Sequence, residues 1–209
     1  MQINGFMEII IRPSKEIDFR ETENLTRESF WDLYKPGSDE HFVLHKIRES
    51  KCCISELDLV SIASEKIIGH IICTKARVVD SKNNEYTVLC VGPFSIMNEY
   101  QRKGYGSKLM EYCIEISKEL GYSAMILFGN PTYYHRFGFR NAIEYGICTK
   151  EGMNFEPFMV KELQKEGLTG IQGKFVEDES YSVAADELLE FEKQFPYKEK
   201  HITATQLNL

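Results

Sequence analysis

At 209 residues, 43% of them apolar and 12% aromatic, the chain has material for one sizeable core, alone or with an appendage. A formal net charge of -7 argues against nonspecific nucleic-acid binding, which needs a basic face. No apolar run approaches the roughly 20 residues needed to span a bilayer, and the first residues lack a signal-peptide pattern.

The cysteines Cys52, Cys53, Cys73, Cys90, Cys113 and Cys148 form no C-x-x-C and meet no paired histidines. They read as reduced thiols packed as small apolar residues, with no metal site, in a cytoplasmic protein.

Residues 7–12, MEIIIR, predict a first strand stopped by Pro13. Ser14 or Asp18 is placed to cap a helix through Phe30, with Ile17, Leu25 and Phe30 among its apolar positions. Residues 31–37 form a loop around Pro36-Gly37. Asp39 then opens a helix turning Val43, Leu44 and Ile47 to a core. His41 and His45 share a face of this helix, but no third ligand accompanies them. Residues 57–63 and 66–76 predict two strands joined at Ser64-Glu65, the second with Gly69 and a satisfied strand histidine, His70. A polar turn, DSKNNE, leads to a central strand at 86–96. Connections this short make an antiparallel meander.

The central strand runs into Gln101-Arg102-Lys103-Gly104-Tyr105-Gly106, and a helix follows over 104–120. Leu109, Cys113, Ile116 and Leu120 share one face of it, and Gly121 stands at the C-terminal cap position. Such a strand–loop–helix presents backbone N–H groups to an anion at a helix N-terminus. It is neither a Walker A loop nor G-x-G-x-x-G, since position 109 is leucine. The helix is long enough to cross over to a parallel strand at 125–128. That strand ends at Gly129-Asn130-Pro131, followed by Tyr134-His135-Arg136-Phe137-Gly138-Phe139. Beyond Phe139 the pattern predicts a strand through Ile147, a loop to Pro157, an amphipathic stretch at 158–163 and a last strand at 174–176. Ser182 is placed to cap a final helix ended by Pro196, with Val183, Leu188, Phe191 and Phe195 near one stripe. That stripe needs cover, and packing on the chain's own body is favoured over a homodimer contact.

The Q-R-K-G-Y-G loop after an apolar strand resembles the pyrophosphate loop of the GNAT family of acyl-CoA-dependent N-acetyltransferases. The later Y-x-x-x-G-F resembles that family's other signature. The wording G-N-P-x-Y-Y-x-R-F-G-F is similar to the bacterial YhbS-type branch. The resemblance spans about residues 7–178, read as one domain with residues 179–209 as a helical extension packed on it. It implies an α/β (α+β) GNAT fold: a mixed sheet of about six to seven strands flanked by about four helices. An antiparallel N-terminal meander would precede a splayed parallel pair.

The same resemblance implies acetyl-CoA as co-substrate and a primary amine, on a small molecule or peptide, as acceptor. The pyrophosphate would lie at Gln101, Arg102, Lys103, Gly104, Tyr105, Gly106 and Ser107. The pantetheine would run along Phe94, Ser95, Ile96 and Met97 as an added strand, with Asn130 on its other side. Tyr134 matches the family's acid, which protonates the departing thiolate. A glutamate that some relatives carry on the central strand is replaced here by Cys90. The base therefore stays open among Glu85, His41, His135 and a water chain. A non-catalytic acyl-CoA-binding regulatory or partner-binding module is the second reading.

Overall fold

Apolar runs rich in β-branched residues make three long strands in the N-terminal half, and they dominate the sheet. The computed structural model describes residues 8–204 and 206. In chain order these give β1 (Ile10–Pro13), α1 (Glu16–Phe30), α2 (Glu40–Glu49), β2 (Cys53–Ala63), β3 (Lys66–Val79) and β4 (Glu85–Ile96). The second half contributes α3 (Tyr105–Glu119), β5 (Ala124–Phe128), α4 (Pro131–Tyr134), β6 (Arg140–Asn141) and β7 (Ile147–Cys148). It ends with β8 (Phe158–Glu162), β9 (Gly173–Val176) and α5 (Ala185–Glu192).

The strands form a nine-stranded sheet of order β1-β2-β3-β4-β5-β8-β6, with β9 pairing the end of β3 and β7 pairing β9. The ladders are antiparallel except β4–β5 and β7–β9. Alternation along the strands supplies a core on each face. On one, Leu59, Ile71, Leu89 and Met125 pack against Leu109, Met110 and Cys113 of α3. On the other, Ile72 packs against Val43, Leu44 and Ile47 of α2. Fully burying one such side chain is worth about 1.5–3 kcal/mol.

Several local expectations are corrected. α1 starts after Lys15, and Asp18 is not the cap but reaches back from the first turn to accept the Lys15 N–H at 2.8 Å. Ile17 is exposed, and the buried face of α1 is mostly polar: Asp18, Thr22, Glu23, Thr26 and Arg27. Leu120 is also exposed, because the buried stripe of α3 runs through Leu109, Met110, Cys113, Ile114 and Ser117. The single strand expected after Phe139 is instead β6, a short 3-10 turn and β7. These short pieces account for the surplus over six or seven strands. α5 starts after Ala184, not at Ser182, and Phe195 lies beyond its last turn. Residue 7, the expected start of β1, lies outside the described residues.

The polar face of α1 is satisfied by buried partners. Arg48 on α2 donates to both Asp58 oxygens (2.8 and 3.1 Å) and to Thr22 Oγ1 (2.9 Å), while His70 Nε2 lies 2.7 Å from Asp58 Oδ1. Despite burial, the hydrogen bonds from His70 and Arg48 hold the Asp58 carboxyl at about 2. His70 is thus partnered through Nε2, but its Nδ1 has no hydrogen bond among the described residues.

Arg27 pairs with Glu192 of α5 at 2.9 Å. Phe191 and Phe195 pack on Phe42 and on the ring of His41. Truncating Phe191 to alanine should therefore cost about 3–5 kcal/mol, read by urea denaturation. His41 lies 2.6 Å from Glu192 Oε1, but too obliquely for a hydrogen bond, and its burial lowers its pKa to about 4. The unfolded state titrates near 6.5 and so takes up a proton first as pH falls. Stability present above that pH should decline between about 6.5 and 4, by about 3 kcal/mol in total. Melting temperatures across that range should show the decline, and His41→Phe should flatten it.

Candidate active site

β4 keeps its β3 partner to the end but loses β5 half-way. The parallel ladder comprises Leu89↔Met125 and Cys90↔Ile126, and β5 ends two residues later. The cause lies at Gly92-Pro93. Between Cys73↔Val91 and Ile71↔Phe94, β4 carries one residue more than β3. Such a bulge bends and twists the strand, and Pro93 has no N–H to give a ladder. Met97 donates to Ile68 O on the β3 side at 2.9 Å. Backbone direction alternates, so the N–H groups of Phe94 and Ile96 face the split.

The split leads to the loop before α3. Gln101 Nε2 donates to Ile96 O (2.9 Å) and Asn98 Oδ1 (3.0 Å), so its side chain braces the loop. Arg102 (φ 57°) and Gly104 (φ 85°) are left-handed, which turns nearby N–H groups into a concave, anion-binding arrangement. Residues 101–104 are exposed. Tyr105, Gly106 and Ser107 then begin α3, where the first N–H groups have no intrahelical partner. The ring of Tyr105 is core, packed near Ala63 and Ile68, so only its backbone is on offer. The Ser95 side chain likewise turns away, to Thr26 Oγ1 at 3.2 Å.

Across the split, Asn130 Oδ1 accepts the Thr132 N–H at 2.9 Å and so caps α4. Its amide nitrogen has no partner among the described residues. α4 presents Tyr133 and Tyr134 in succession. The Tyr133 ring stands 6.2 Å from Phe94, and its hydroxyl lies 2.9 Å from where a Gly106 Cβ would be, bridging the split. The Tyr134 ring meets Tyr133 (5.0 Å) and Phe139 (5.7 Å) edge-on. It also covers Gly129, where a Cβ would sit 2.2 Å from Tyr134 Cε2. Burial raises the Tyr134 phenol well above its usual range, so it keeps its proton at neutral pH.

On the α2 face a cavity of about 890 Å³ opens between α2, the loop before β8 and the segment after β9. Phe128, the last residue of β5, lines it, as do Phe155, Phe175 and Tyr181. Tyr181 also reaches the bulge: its hydroxyl bonds Thr74 Oγ1 at 3.0 Å and lies 3.1 Å from where a Gly92 Cβ would be.

The family model described as Acetyltransferase (GNAT) family matches residues 16–139, more than half of the chain. The chain belongs to the GNAT acetyltransferase family. Among curated GNAT relatives, the uncharacterized N-acetyltransferase YhbS of Escherichia coli K12 is 25% identical over 166 residues, covering 79% of this chain and 93% of YhbS. The uncharacterized N-acetyltransferase YjhQ of the same organism is 28% identical over 102 residues, 49% of this chain and 56% of YjhQ. The crystal structure of Escherichia coli YhbS in complex with CoA superposes with a TM-score of 0.75 at 23% identity, covering 87% of this chain and 96% of that one. A Brucella melitensis GNAT acetyltransferase solved with acetyl-CoA gives 0.66 at 20% identity, covering 85% and 100%. The mixed sheet with its parallel β4–β5 pair is thus the GNAT fold.

Within this GNAT fold the sequence-predicted residues fall on the two sides of one split. On the β4 side Phe94 and Ile96 present their N–H groups to it, whereas Ser95 and Met97 turn to β3 and α1; Gln101 through Ser107 lie at its end. Asn130 and Tyr134 stand on the β5 side. The open candidates for a base scatter. Glu85 begins β4 and pairs with Arg77 at 3.2 Å, His41 is buried under α5, and His135 is exposed next to Tyr134. Cys90 occupies the central-strand position, but burial raises its thiol pKa well above the usual range, so it is no base at neutral pH. Sequence reasoning missed the bridging role of Tyr133 and the cavity residues Glu151, Glu177 and Tyr181. The last three lie in segments whose placement depends on the pairing of β9 with β3.

The fit of Tyr134 against Gly129 has a testable energy. Gly129→Ala should destabilise by about 1–3 kcal/mol through overpacking. In a Tyr134→Ala background the same change should become nearly neutral, a coupling that a double-mutant cycle by urea denaturation would read.

Proposed function

We propose that this chain transfers the acetyl group of acetyl-CoA to a primary amine of a small molecule or peptide, by direct attack through a tetrahedral intermediate. The observation that carries the reading is the β4–β5 split, with the exposed N–H groups of the α3 loop at one end and Tyr134 on its far side. The similar structures solved with CoA and acetyl-CoA support the same ligand here. So does the fit of the residues: a left-handed loop, an uncapped helix N-terminus and an unpaired strand edge. Residues 7–178 form the catalytic domain in this reading, and residues 179–209 an extension packed on it as part of a monomer. Acetyl-CoA is an intracellular metabolite, which supports a cytoplasmic location.

The diphosphate of the co-substrate would meet the N–H groups of Arg102 to Ser107, with the Arg102 and Lys103 charges beside it. The pantetheine would lie along the free edge of β4, and the amide nitrogen of Asn130 is free to donate to it from across the split. Gln101 already engages the Ile96 carbonyl, so Phe94 and Ile96 contribute mainly N–H donors. One of these would receive the oxyanion of the intermediate, a contact worth about 3–4 kcal/mol. A free amine with pKa near 10.4 is almost wholly protonated at pH 7, a penalty of about 4–5 kcal/mol that a base must offset. The leaving thiolate would take its proton from Tyr134, which burial keeps protonated.

Thiol release from acetyl-CoA in the presence of a panel of amines tests the reading. Tyr134→Phe removes one hydroxyl, so kcat should fall by about 10²–10⁴-fold while calorimetric affinity for acetyl-CoA stays within about twofold. Tight binding of acetyl-CoA with no turnover on any amine would replace the enzyme with an acyl-CoA-binding module.

A further inference from the structure

The cavity on the α2 face is left over once the co-substrate is placed, and its lining is chemically one-sided. Its floor is aromatic, with the rings of Phe128 and Phe155 stacked 5.8 Å apart and Phe175 6.2 Å from Phe128. Its walls carry Glu151, Glu177, Asp178, Glu179 and Glu187 against only Lys46 and Lys150. Part of this charge is already satisfied. Lys46 donates to Ser182 O at 2.7 Å and lies 3.5 Å from Glu187, and Asp178 accepts from Ser50 and from the Ser180 N–H.

Glu151 and Glu177 have no hydrogen bond or ion pair among the described residues. Desolvation, and then the charge of Glu151, raise the Glu177 carboxyl above its ordinary range. The cavity reaches the bulge at the start of the split through Tyr181, which lines it and whose hydroxyl lies 3.1 Å from where a Gly92 Cβ would be. Glu151 and Glu177, both solvent-exposed, bring negative charge to a cavity with an aromatic floor, which repels an anion and gains nothing from a neutral guest. A cation between them is stabilised by both carboxylates and by the ring faces.

We propose that this cavity holds the acceptor, a small aliphatic amine bearing at least two positive charges, with Glu177 taking the proton of the reacting ammonium and Glu151 holding the second charge. The proposal rests on the N-acetyltransferase reading and adds its substrate class and its base. Glu177 removes one proton from the ammonium, and the neutral nitrogen attacks the thioester carbonyl. The C–N bond forms, the C–S bond breaks, and the sulfur leaves with a proton from Tyr134. The second proton of the nitrogen restores Tyr134, and the proton on Glu177 passes to solvent. The products are the N-acetylated amine, the CoA thiol and one proton.

The test compares putrescine, butylamine and γ-aminobutyrate as acceptors, which share a four-carbon chain. Putrescine should exceed butylamine in kcat/KM by about tenfold or more, and γ-aminobutyrate should be slowest. Glu151→Gln should bring putrescine to within about threefold of butylamine. Glu177→Gln should lower kcat for every amine by about 10²-fold or more and remove the acidic limb of its pH profile. Calorimetric affinity for acetyl-CoA should be unchanged in both variants, which establishes that they are folded. Equal rates for putrescine and butylamine, or a Glu177→Gln variant with unchanged kcat and pH profile, would overturn the proposal while the transferase reading stands. Should no amine release thiol, the transferase reading fails by itself. Titration of putrescine into CoA-saturated protein still decides the cavity: heat abolished by Glu151→Gln supports the cation site, and no heat overturns it.

Discussion

The parting of β4 from β5 is the constraint on which the rest of the site depends. A parallel pair usually continues until one strand ends, because every dropped rung leaves backbone N–H and C=O groups unpaired. Left buried and unsatisfied, each would cost about 1–3 kcal/mol. Here the bulge at Gly92-Pro93 bends and twists β4 where the β5 ladder stops. Phe94 and Ile96, just beyond it, are only half-buried, so water can serve their N–H groups until a ligand replaces it. Everything that could hold a co-substrate is hung from the two sides of this gap. The α3 loop follows β4, α4 follows β5, and Tyr133 spans between them.

The opposite face is organised by charge more than by apolar contact. Arg48, Asp58 and His70 form a buried group that ties α2 to the sheet, and Thr22 joins α1 to it. Such a group is weak evidence for net stability, since an apolar substitute often does as well. What it does impose is geometry, because removing one member strands a charge in the core. The same logic extends to Arg27, whose pairing with Glu192 brings α5 onto α1. The chain beyond α5 continues along the α1–α2 loop. Trp31 Nε1 donates to Glu199 O at 2.9 Å and Thr203 Oγ1 to Asp32 O at 2.8 Å. The C-terminal segment is therefore fastened to α1, α2 and the loop between them, although it lies outside the family match at residues 16–139.

This division explains what the sequence could reveal. The turns at Gln101 to Gly106 and Tyr134 to Phe139 were legible because their signals are local: glycines at left-handed or closely packed positions, and a strand–helix frame around them. The meander was legible from its short connections. The polar face of α1 was not, since Ile17 and Phe30 look like core positions until Arg48 and Asp58 arrive from elsewhere. Nor was the path after Phe139, where two-residue strands carry no periodicity. Gly173 shows why: a Cβ there would lie 2.1 Å from Val79 O, so its glycine records a close approach by β3 that only the folded chain reveals.

The thiol at Cys90 bears on how the proposed chemistry can work without a central-strand carboxylate. A base acts through its position relative to the nitrogen and its pKa, and neither requires a particular strand. A carboxylate on β4 would be fixed by the sheet and largely independent of the acceptor. Glu177 instead follows β9, which is held by its pairing with residues 77–79 of β3 and by the Asp178–Ser50 contact. It shares its wall with the residues that would recognise the acceptor. In that arrangement the charge selecting the amine and the charge deprotonating it belong to one surface. A change in the segment after β9 would then alter selectivity and proton transfer together, while the co-substrate side, built on β4 and α3, stays the same.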